Sequence, residues 1–267
     1  MPDGSDALLR LAAFAGVFGA MAMAEVLWPF RPSVARAHRW VCNIGLSVIN
    51  TGLLRLVALG LPLLPVGVAL MSAGGGLFGA AGVPAWAGVI AGFVILDLAI
   101  YAQHVVFHHV PWLWRLHRVH HADTGFDVTT AIRFHPLEIL ISLCWKLLVI
   151  VAFGIPAVAV LAFEIVLNAG AMFSHANVSL PQRVDGVLRA VIVTPDMHRV
   201  HHSVEPRELN SNFGFNFSFW DRLCGTYLPR TQADARDMPI GLRAFQGPVA
   251  ARLGAMLVFP FRPVKPS

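Results

Sequence analysis

The sequence predicts an all-α fold, a multi-pass bundle of membrane helices with a cytoplasmic histidine-rich helical cap. Two observations predict it. Hydrophobic residues make up 56% of the 267 residues and the mean hydropathy is +0.64, which is too apolar for an ordinary soluble protein. Apolar runs long enough to cross a bilayer recur along the chain, and histidines crowd together where these runs end. We therefore expect a single integral membrane domain over residues 1–267.

The first two spans are predicted from Leu8 to about Trp28 and from Val41 to about Leu70. Acidic residues precede the first span where a signal peptide would carry basic ones, so we expect a retained membrane helix. Pro29 stops it, and the second span is long and broken near Pro62 and Pro65. Between the spans lie basic residues typical of a cytoplasmic loop, namely Arg31, Arg36, His38 and Arg39.

A third span is predicted from Trp86 to about Phe107, and Pro111 interrupts the chain after it. Two shorter apolar stretches, Leu137 to about Phe153 and Ile155 to about Phe173, follow as a hairpin through the bilayer. If the basic loop after the first span is cytoplasmic, the N-terminus lies outside and every histidine cluster shares the cytoplasmic face. The apolar segment Gly247 to Phe261 is predicted to lie on or against the membrane.

Eight histidines form the chemical signature of the chain. Residues three or four apart share one face of a helix, so each cluster can present its imidazoles together. Eight imidazoles exceed what one tetrahedral site could hold, which predicts a dinuclear metal centre. The cap that carries it is expected over residues 104–136 and 175–227. The three clusters are His104 with His108, His117 with His120 and His121, and His198 with His201 and His202.

Charge and cysteine usage narrow the function classes. The net charge is +5 and the pI about 9.7, but many basic residues border apolar spans, which indicates membrane contact and no nucleic acid partner. Cys42, Cys144 and Cys224 are scattered, so neither a disulfide framework nor a thiolate metal site is indicated. Imidazole ligands alone leave zinc, copper and iron open.

Several single residues carry narrower predictions. Asp97, within the third span, either holds the tautomer of an imidazole or bonds another helix. Trp112 and Trp114 are predicted to anchor the chain at the membrane interface. His109 faces away from the His104 side of its helix and is predicted not to be a ligand, and the lone His38 is expected to be structural.

The order and spacing of these clusters resemble the fatty acid hydroxylase superfamily, also called the sterol desaturase family. The histidine boxes are H-x3-H at 104–108 and H-x2-H-H at 117–121 and 198–202, and the resemblance covers residues 36–230. Further matches are Arg39-Trp40 with Asn43 and Leu46, Phe134-His135-Pro136, His175-Ala176-Asn177, Asn212-Phe213-Gly214, Trp220-Asp221-Arg222-Leu223 and Gly225-Thr226-Tyr227.

The resemblance implies a membrane-bound non-haem di-iron oxygenase. Such an enzyme would use two Fe ions, O2 and external electrons to hydroxylate or desaturate a lipid substrate, a fatty acyl chain, a sterol or a related molecule. It implies that His135 has a supporting or structural role, and that Ala171 stands where relatives often carry a polar residue near one iron. The implied metal ligands are His104, His108, His117, His120, His121, His175, His198, His201 and His202.

Partners and alternatives complete these expectations. We expect no fused haem-binding module before Leu8 or after Tyr227, so the electron donor would be a ferredoxin or a cytochrome with its reductase. One alternative is a zinc-dependent membrane hydrolase, for which Glu138, Asp123 or Asp196 could be the general base. Another is a non-enzymatic membrane protein that carries or senses a metal.

Overall fold

A computed structural model describes residues 4–33, 35–60, 75–230 and 235–262. The described residues are helical and contain no strand, with a 3-10 helix at Val128–Ile132. The α-helices are α1 (Gly4–Leu27), α2 (Arg36–Gly60), α3 (Gly76–Ala80), α4 (Ala85–His109), α5 (Pro111–His121), α6 (Pro136–Phe153), α7 (Ala157–His175), α8 (Gln182–Leu188), α9 (Pro195–His201), α10 (Pro206–Leu209), α11 (Phe219–Leu223) and α12 (Leu253–Val258).

Among the described residues, five helices are long and apolar enough to cross a membrane, namely α1, α2, α4, α6 and α7. The prediction of an all-α, multi-pass membrane bundle is therefore confirmed. The first span ends two residues before Pro29, where a helix would lose a backbone donor. The second ends at Gly60, and both predicted proline breaks lie outside the described residues.

The predicted hairpin is formed by α6 and α7 and turns at Gly154. This residue has φ +70° and ends α6, a conformation that favours glycine. The turn also meets the short helix α3, because a Cβ at position 154 would clash with the carbonyl oxygen of Gly75. The turn residue is thus required both by its own backbone angle and by its neighbour.

The core of the bundle lies between α4, α6 and α7. Leu96 on α4 and Phe163 on α7 are completely buried, and Ile150 on α6 packs in the same cluster. Helix α1 lies along α7 and is joined to it by an ion pair between Arg10 and Glu164. Burial of this apolar surface brings the ends of α4 and α7 together, and these ends carry histidines.

The C-terminal segment closes the histidine-bearing end of the bundle. Met256 and Phe259 are buried against Leu46 of α2 and Val119 of α5. The segment predicted to lie on or against the membrane therefore packs against α2 and α5 through the face that carries Met256 and Phe259. Its regular part is shorter than the predicted run, because 3-10 turns flank α12 on both sides.

A buried charge network ties α2 to the end of α5. Arg39 donates to both carboxylate oxygens of Asp123, at 2.6 and 2.8 Å, and to Asp127 at 2.7 Å. Asn43 and Thr130 donate to the same Asp123 carboxylate, at 3.1 and 2.9 Å. Arg39 is therefore a buried structural residue, although its basic sequence neighbourhood suggested a membrane-orienting loop.

Candidate metal centre

All nine predicted ligand histidines converge at one end of the bundle. They come from the end of α4, from α5, from the last residue of α7 and from α9 with the residue after it. Each is at most 8% exposed. They form two groups, in each of which one nitrogen from every ring lies within 4.8 Å of the others. The five-histidine group is His104, His108, His117, His121 and His201, and the four-histidine group is His120, His175, His198 and His202.

The two groups cut across the three sequence clusters. His117 and His121, four residues apart, face the five-histidine group, whereas His120 faces the other group. His201 and His202 are divided in the same way. Successive residues on a helix point about 100° apart, so one helix between two centres can supply ligands to both. Sequence spacing identified the histidines, but it combined residues that serve different groups.

Backbone carbonyls orient two imidazoles of the five-histidine group. The Nδ1 of His104 donates to the carbonyl oxygen of Phe213, and the Nδ1 of His201 donates to that of Ser211, both at 2.7 Å. Each Nε2 is then left with its lone pair directed inward, and neither has a hydrogen-bond partner among the described residues. A buried nitrogen without a partner is costly unless something else binds it.

A carboxylate orients a third imidazole. The Nδ1 of His117 donates to Glu138 at 2.6 Å, and both side chains are buried. The Nε2 of His117 likewise has no partner within the described part of the chain. A carboxylate behind an imidazole raises the basicity of the other nitrogen and fixes its tautomer, an arrangement that is common at metal sites.

In the four-histidine group, a carbonyl again fixes a ring. The Nδ1 of His175 donates to the carbonyl oxygen of Ala171 at 2.7 Å, so Nε2 is the nitrogen that faces inward. The resemblance to the superfamily implied a polar side chain at this position, where the chain has Ala171. Here its backbone supports the histidine, and its side chain offers no ligand atom.

The spacing between facing nitrogens suits metal coordination. The Nε2 atoms of His108 and His121 are 3.1 Å apart, and the Nε2 of His175 lies 3.1 Å from that of His120 and 3.0 Å from that of His198. Two nitrogens that bind one ion at about 2.1 Å lie about 3.0 Å apart at a right angle and about 3.4 Å apart at the tetrahedral angle. The residues present therefore fit a centre with two metal ions.

Electrostatics keep five of the rings outside the spans neutral, which is the form that binds a metal. Burial, followed by neighbouring imidazoles, lowers the pKa values of four rings outside the spans well below 6.5, those of His120, His121, His198 and His202. Burial also lowers the pKa of His201 to about 3, although its bond to the Ser211 carbonyl acts in the opposite direction. Protons therefore compete weakly for these nitrogens at neutral pH.

Aromatic rings form the wall of the centre. Phe134 stacks on His120 with ring centroids 4.5 Å apart, and the half-buried Trp114 lies 4.9 Å from His108. Phe126 borders the four-histidine group. Trp114, which the sequence suggested as an interfacial anchor, thus packs against predicted ligands. Such rings limit the access of water and lower the local dielectric.

The remaining predicted residues occupy other positions. Asp97 accepts hydrogen bonds from Asn216, Trp220 and the backbone N–H of Phe217, at 2.8–3.3 Å. Its carboxylate therefore binds the C-terminal part of the cap and does not orient a histidine. This is the second of its two expected roles. The His109 ring is exposed and lies outside both groups.

Two other histidines are placed at helix starts. His135 caps the N-terminus of α6 by accepting from the backbone N–H of Leu137 at 3.2 Å, which agrees with a structural role. His38 is exposed in the first turn of α2. Neither belongs to the two groups.

The carboxylates considered for a hydrolase are engaged elsewhere. Glu138 already accepts from a histidine of the five-histidine group. Asp123 is bonded to Arg39, and Asp196 is bonded to Arg199 at 2.5 Å. Asp123 and Asp196 are thus paired with arginines, and Glu138 uses Oε1 to bind His117 while its Oε2 has no hydrogen-bond partner among the described residues.

Comparison with known protein families gives a match over the histidine-bearing region of the chain. The model of the fatty acid hydroxylase family matches residues 89–226, more than half of the chain and a region that contains all nine histidines. The chain belongs to the fatty acid hydroxylase family. The resemblance drawn from the histidine boxes is therefore confirmed.

Three relatives that resemble the chain are named for reactions on lipids. An ornithine lipid hydroxylase of Rhizobium tropici is 31% identical over 173 residues, 65% of this chain and 50% of the relative. An alkylglycerol monooxygenase of Xenopus tropicalis is 31% identical over 140 residues, 52% of this chain and 30% of the relative. A cholesterol 25-hydroxylase of Rattus norvegicus is 25% identical over 134 residues, 50% of this chain and 44% of the relative.

The matches span half or less of the length of each of these relatives. By their names all three are hydroxylases or monooxygenases, which are oxidoreductases, as the sequence predicted for this family. No solved structure matches the chain.

Proposed function

We propose that this protein is a membrane-bound non-haem di-iron oxygenase that uses O2 and external electrons to hydroxylate a lipid. The observation that carries the proposal is the division of nine buried histidines into two adjacent groups with inward-facing nitrogens. The named relatives act by hydroxylation, which favours this outcome over desaturation. The nine histidines of the two groups are the proposed ligands.

Iron is the metal that suits both a set of imidazole ligands and the hydroxylation reactions for which the relatives are named. Iron bound in the two groups would supply the one-electron chemistry with O2 that oxidation of an unreactive C–H bond requires. A zinc hydrolase would need a carboxylate base, but Asp123 and Asp196 are each paired with an arginine, and Glu138 is bound through Oε1 to His117, a proposed ligand. A metal carrier would need exchangeable sites, whereas these imidazoles are almost completely buried.

The chain itself contributes orientation and exclusion of water. Glu138 and three backbone carbonyls fix the tautomers of four imidazoles before any metal binds. The aromatic wall of Trp114, Phe126 and Phe134 keeps bulk water from the centre. Preorganised groups of this kind need little rearrangement during the reaction.

The location of the centre favours a lipid substrate. His104 and His108 lie in the last turns of α4, and His175 ends α7, so the centre lies where two spanning helices leave the bilayer. A lipid could approach from the bilayer without being extracted into water. Because the relatives are named for an ornithine lipid, alkylglycerols and cholesterol, we propose the class of lipids and leave the head group to experiment.

We place the centre on the cytoplasmic side. Arg31, Arg36 and Arg39 all have protein partners and so give weaker support than their sequence suggested. However, other arginines are exposed in the cap, among them Arg115, Arg183 and Arg207. Arginine outside the hydrocarbon is enriched on the cytoplasmic side of membrane proteins.

We propose a ferredoxin, or a cytochrome with its reductase, as electron donor. Across the described ranges, the two histidine groups are the candidate metal sites that the structure shows. Cys42 is buried, and Cys144 and Cys224 are exposed as separate thiols. In this proposal the electrons that reduce the centre come from a second protein.

The experiment is an assay of iron-loaded protein in lipid nanodiscs with a chemical or protein reductant. We expect lipid-dependent O2 uptake and transfer of one atom from ¹⁸O2 to the lipid product, detected by mass spectrometry. His201→Ala should abolish both signals, and the exposed His109→Ala is the matched control that should retain them. Hydrolysis of lipid without O2 uptake, or iron-loaded protein inert toward every lipid class named above, would contradict the proposal.

A further inference from the structure

One loop holds two histidines of the five-histidine group. The loop runs from Ser211 to Ser218, before α11, and its carbonyl oxygens at Ser211 and Phe213 accept from His201 and His104. The Phe213 ring also lies 5.5 Å from both imidazoles. Any shift of this loop would change the direction of two proposed ligand nitrogens together.

A buried carboxylate fixes the loop at these positions. Asp221 is completely buried, and its Oδ1 accepts from the backbone N–H of Phe213 at 2.7 Å while Oδ2 accepts from that of Gly214 at 2.8 Å. Thr226 donates its hydroxyl to Oδ1 at 2.7 Å. The carboxylate thus binds the N–H of the residue whose carbonyl orients His104.

The loop has little freedom to move away. A Cβ at Gly214 would lie 2.8 Å from Asp221 Oδ2 and 2.8 Å from the carbonyl oxygen of Phe217, so only glycine permits this approach. Asn212 has φ +52° and its side chain bonds the carbonyls of Met197 and Leu228. Both flanks of Phe213 are therefore constrained.

We infer that Asp221 is a positioning residue for the five-histidine group, acting through the Phe213 backbone. The inference rests on the proposed function, because it treats the group as a metal site. In the four-histidine group, the backbone support is the carbonyl of Ala171, which belongs to α7 and not to this loop. Loss of Asp221 should therefore affect one metal position much more than the other.

Asp221→Asn tests the inference. An amide keeps one oxygen, so one of the two backbone N–H groups would face an NH2 group in place of an acceptor. Loss of a group bonded directly to a metal ligand costs about 10–100-fold in metal affinity, and Asp221 acts through one further residue, so we expect the lower end of this range, about 10-fold. Thr226→Val is the matched control, because it removes one hydrogen bond to the same carboxylate and leaves the two bonds to the loop.

The probe is Co²⁺, titrated into metal-free protein in detergent and followed by its visible absorption, with bound metal counted by elemental analysis. We expect wild type and Thr226→Val to bind two ions per chain, one for each group. In Asp221→Asn one binding step should weaken about 10-fold and the other should remain. Circular dichroism and gel filtration verify that each variant is folded.

The alternative results are separable. Unchanged affinity of both steps, or equal weakening of both, would overturn the positioning role while the proposed function stands. Absence of metal binding by folded wild type would contradict the proposed function and the inference with it. If Asp221→Asn does not fold, Gly214→Ala displaces the same contact and should weaken the same single step, and retention of both steps would overturn the inference.

Discussion

Replacing Glu138 with glutamine tests whether the buried carboxylate behind His117 supports a metal ligand. The two groups are 2.6 Å apart, and both residues are at most 4% exposed, so the negative charge is little screened by water. Glutamine has nearly the same shape and keeps an oxygen that can accept from Nδ1. The change therefore removes mainly the charge.

The expected loss follows from this geometry. Partners behind metal-bound histidines contribute about 10–100-fold to metal affinity, which corresponds to about 1.4–2.7 kcal/mol. We expect Glu138→Gln to weaken metal binding in the five-histidine group by this amount. The fold should persist, because glutamine preserves the hydrogen bond and the packing at the start of α6.

The assay is competition with a chelator at equilibrium, with metal bound per chain measured against free metal. Glu205→Gln is the control, because Glu205 pairs with Arg243 at the exposed surface, with half of its side chain accessible. An affinity for Glu138→Gln within about twofold of wild type, in folded protein, would refute a role of this carboxylate in metal binding.

Three further predictions concern buried charge and protonation. Arg39→Met should cost about 3–5 kcal/mol in unfolding free energy by leaving Asp123 buried and unpaired. Burial favours the neutral acid, but the Arg39 guanidinium outweighs it and holds the pKa of Asp123 well below 3.8, so the pair contributes fully to wild-type stability above about pH 4 and its contribution falls as the pH is lowered further. Asp97→Asn should lower the unfolding temperature only slightly, because Asn216 can turn its unpaired Oδ1 toward the new amide. Asp97→Leu should lower the free energy of unfolding by about 2 kcal/mol or more, because it leaves the buried donors without an acceptor. In metal-free protein the pKa of His201 is about 3, so the unfolded chain binds more protons below about pH 6.5 and the unfolding temperature should fall as the pH is lowered.

Each of these three predictions has a control variant or a result that would contradict it. Arg115→Met changes an exposed arginine and should leave stability unchanged. Equal unfolding temperatures for Asp97→Asn and Asp97→Leu would show that the bonds of Asp97 to the cap contribute little. An unfolding temperature of the metal-free protein that does not change between about pH 7 and about pH 5 would contradict the buried, neutral state of the imidazoles.

Much of the membrane bundle could be predicted from the sequence, because hydropathy and proline positions record the length of a span directly. The first span was predicted from Leu8 to about Trp28 and is helical from Gly4 to Leu27. The hairpin was predicted to turn between about Phe153 and Ile155, and the structure has its left-handed turn at Gly154. The extra turns at helix starts lie outside the apolar run, so hydropathy alone could not include them.

The histidines were found from the sequence, but their arrangement was not. Spacing along one helix cannot show that His120 and His121 serve different groups, because that depends on the elements packed on either side. The carbonyl oxygens of Ser211 and Phe213 give no sequence signal, since every residue type has a carbonyl. Asp97 was recognised as costly in a span, but its partners lie more than one hundred residues later in the chain.

The measurement that tests the central claim most directly is the iron content of folded protein after anaerobic iron loading and removal of free metal. We predict about two irons per wild-type chain, one for each histidine group. His120→Ala and His201→Ala should each lower this number, because they belong to different groups, and His109→Ala should not. Folded wild-type protein that retains no iron, or variants that all retain the wild-type amount, would contradict the di-iron centre.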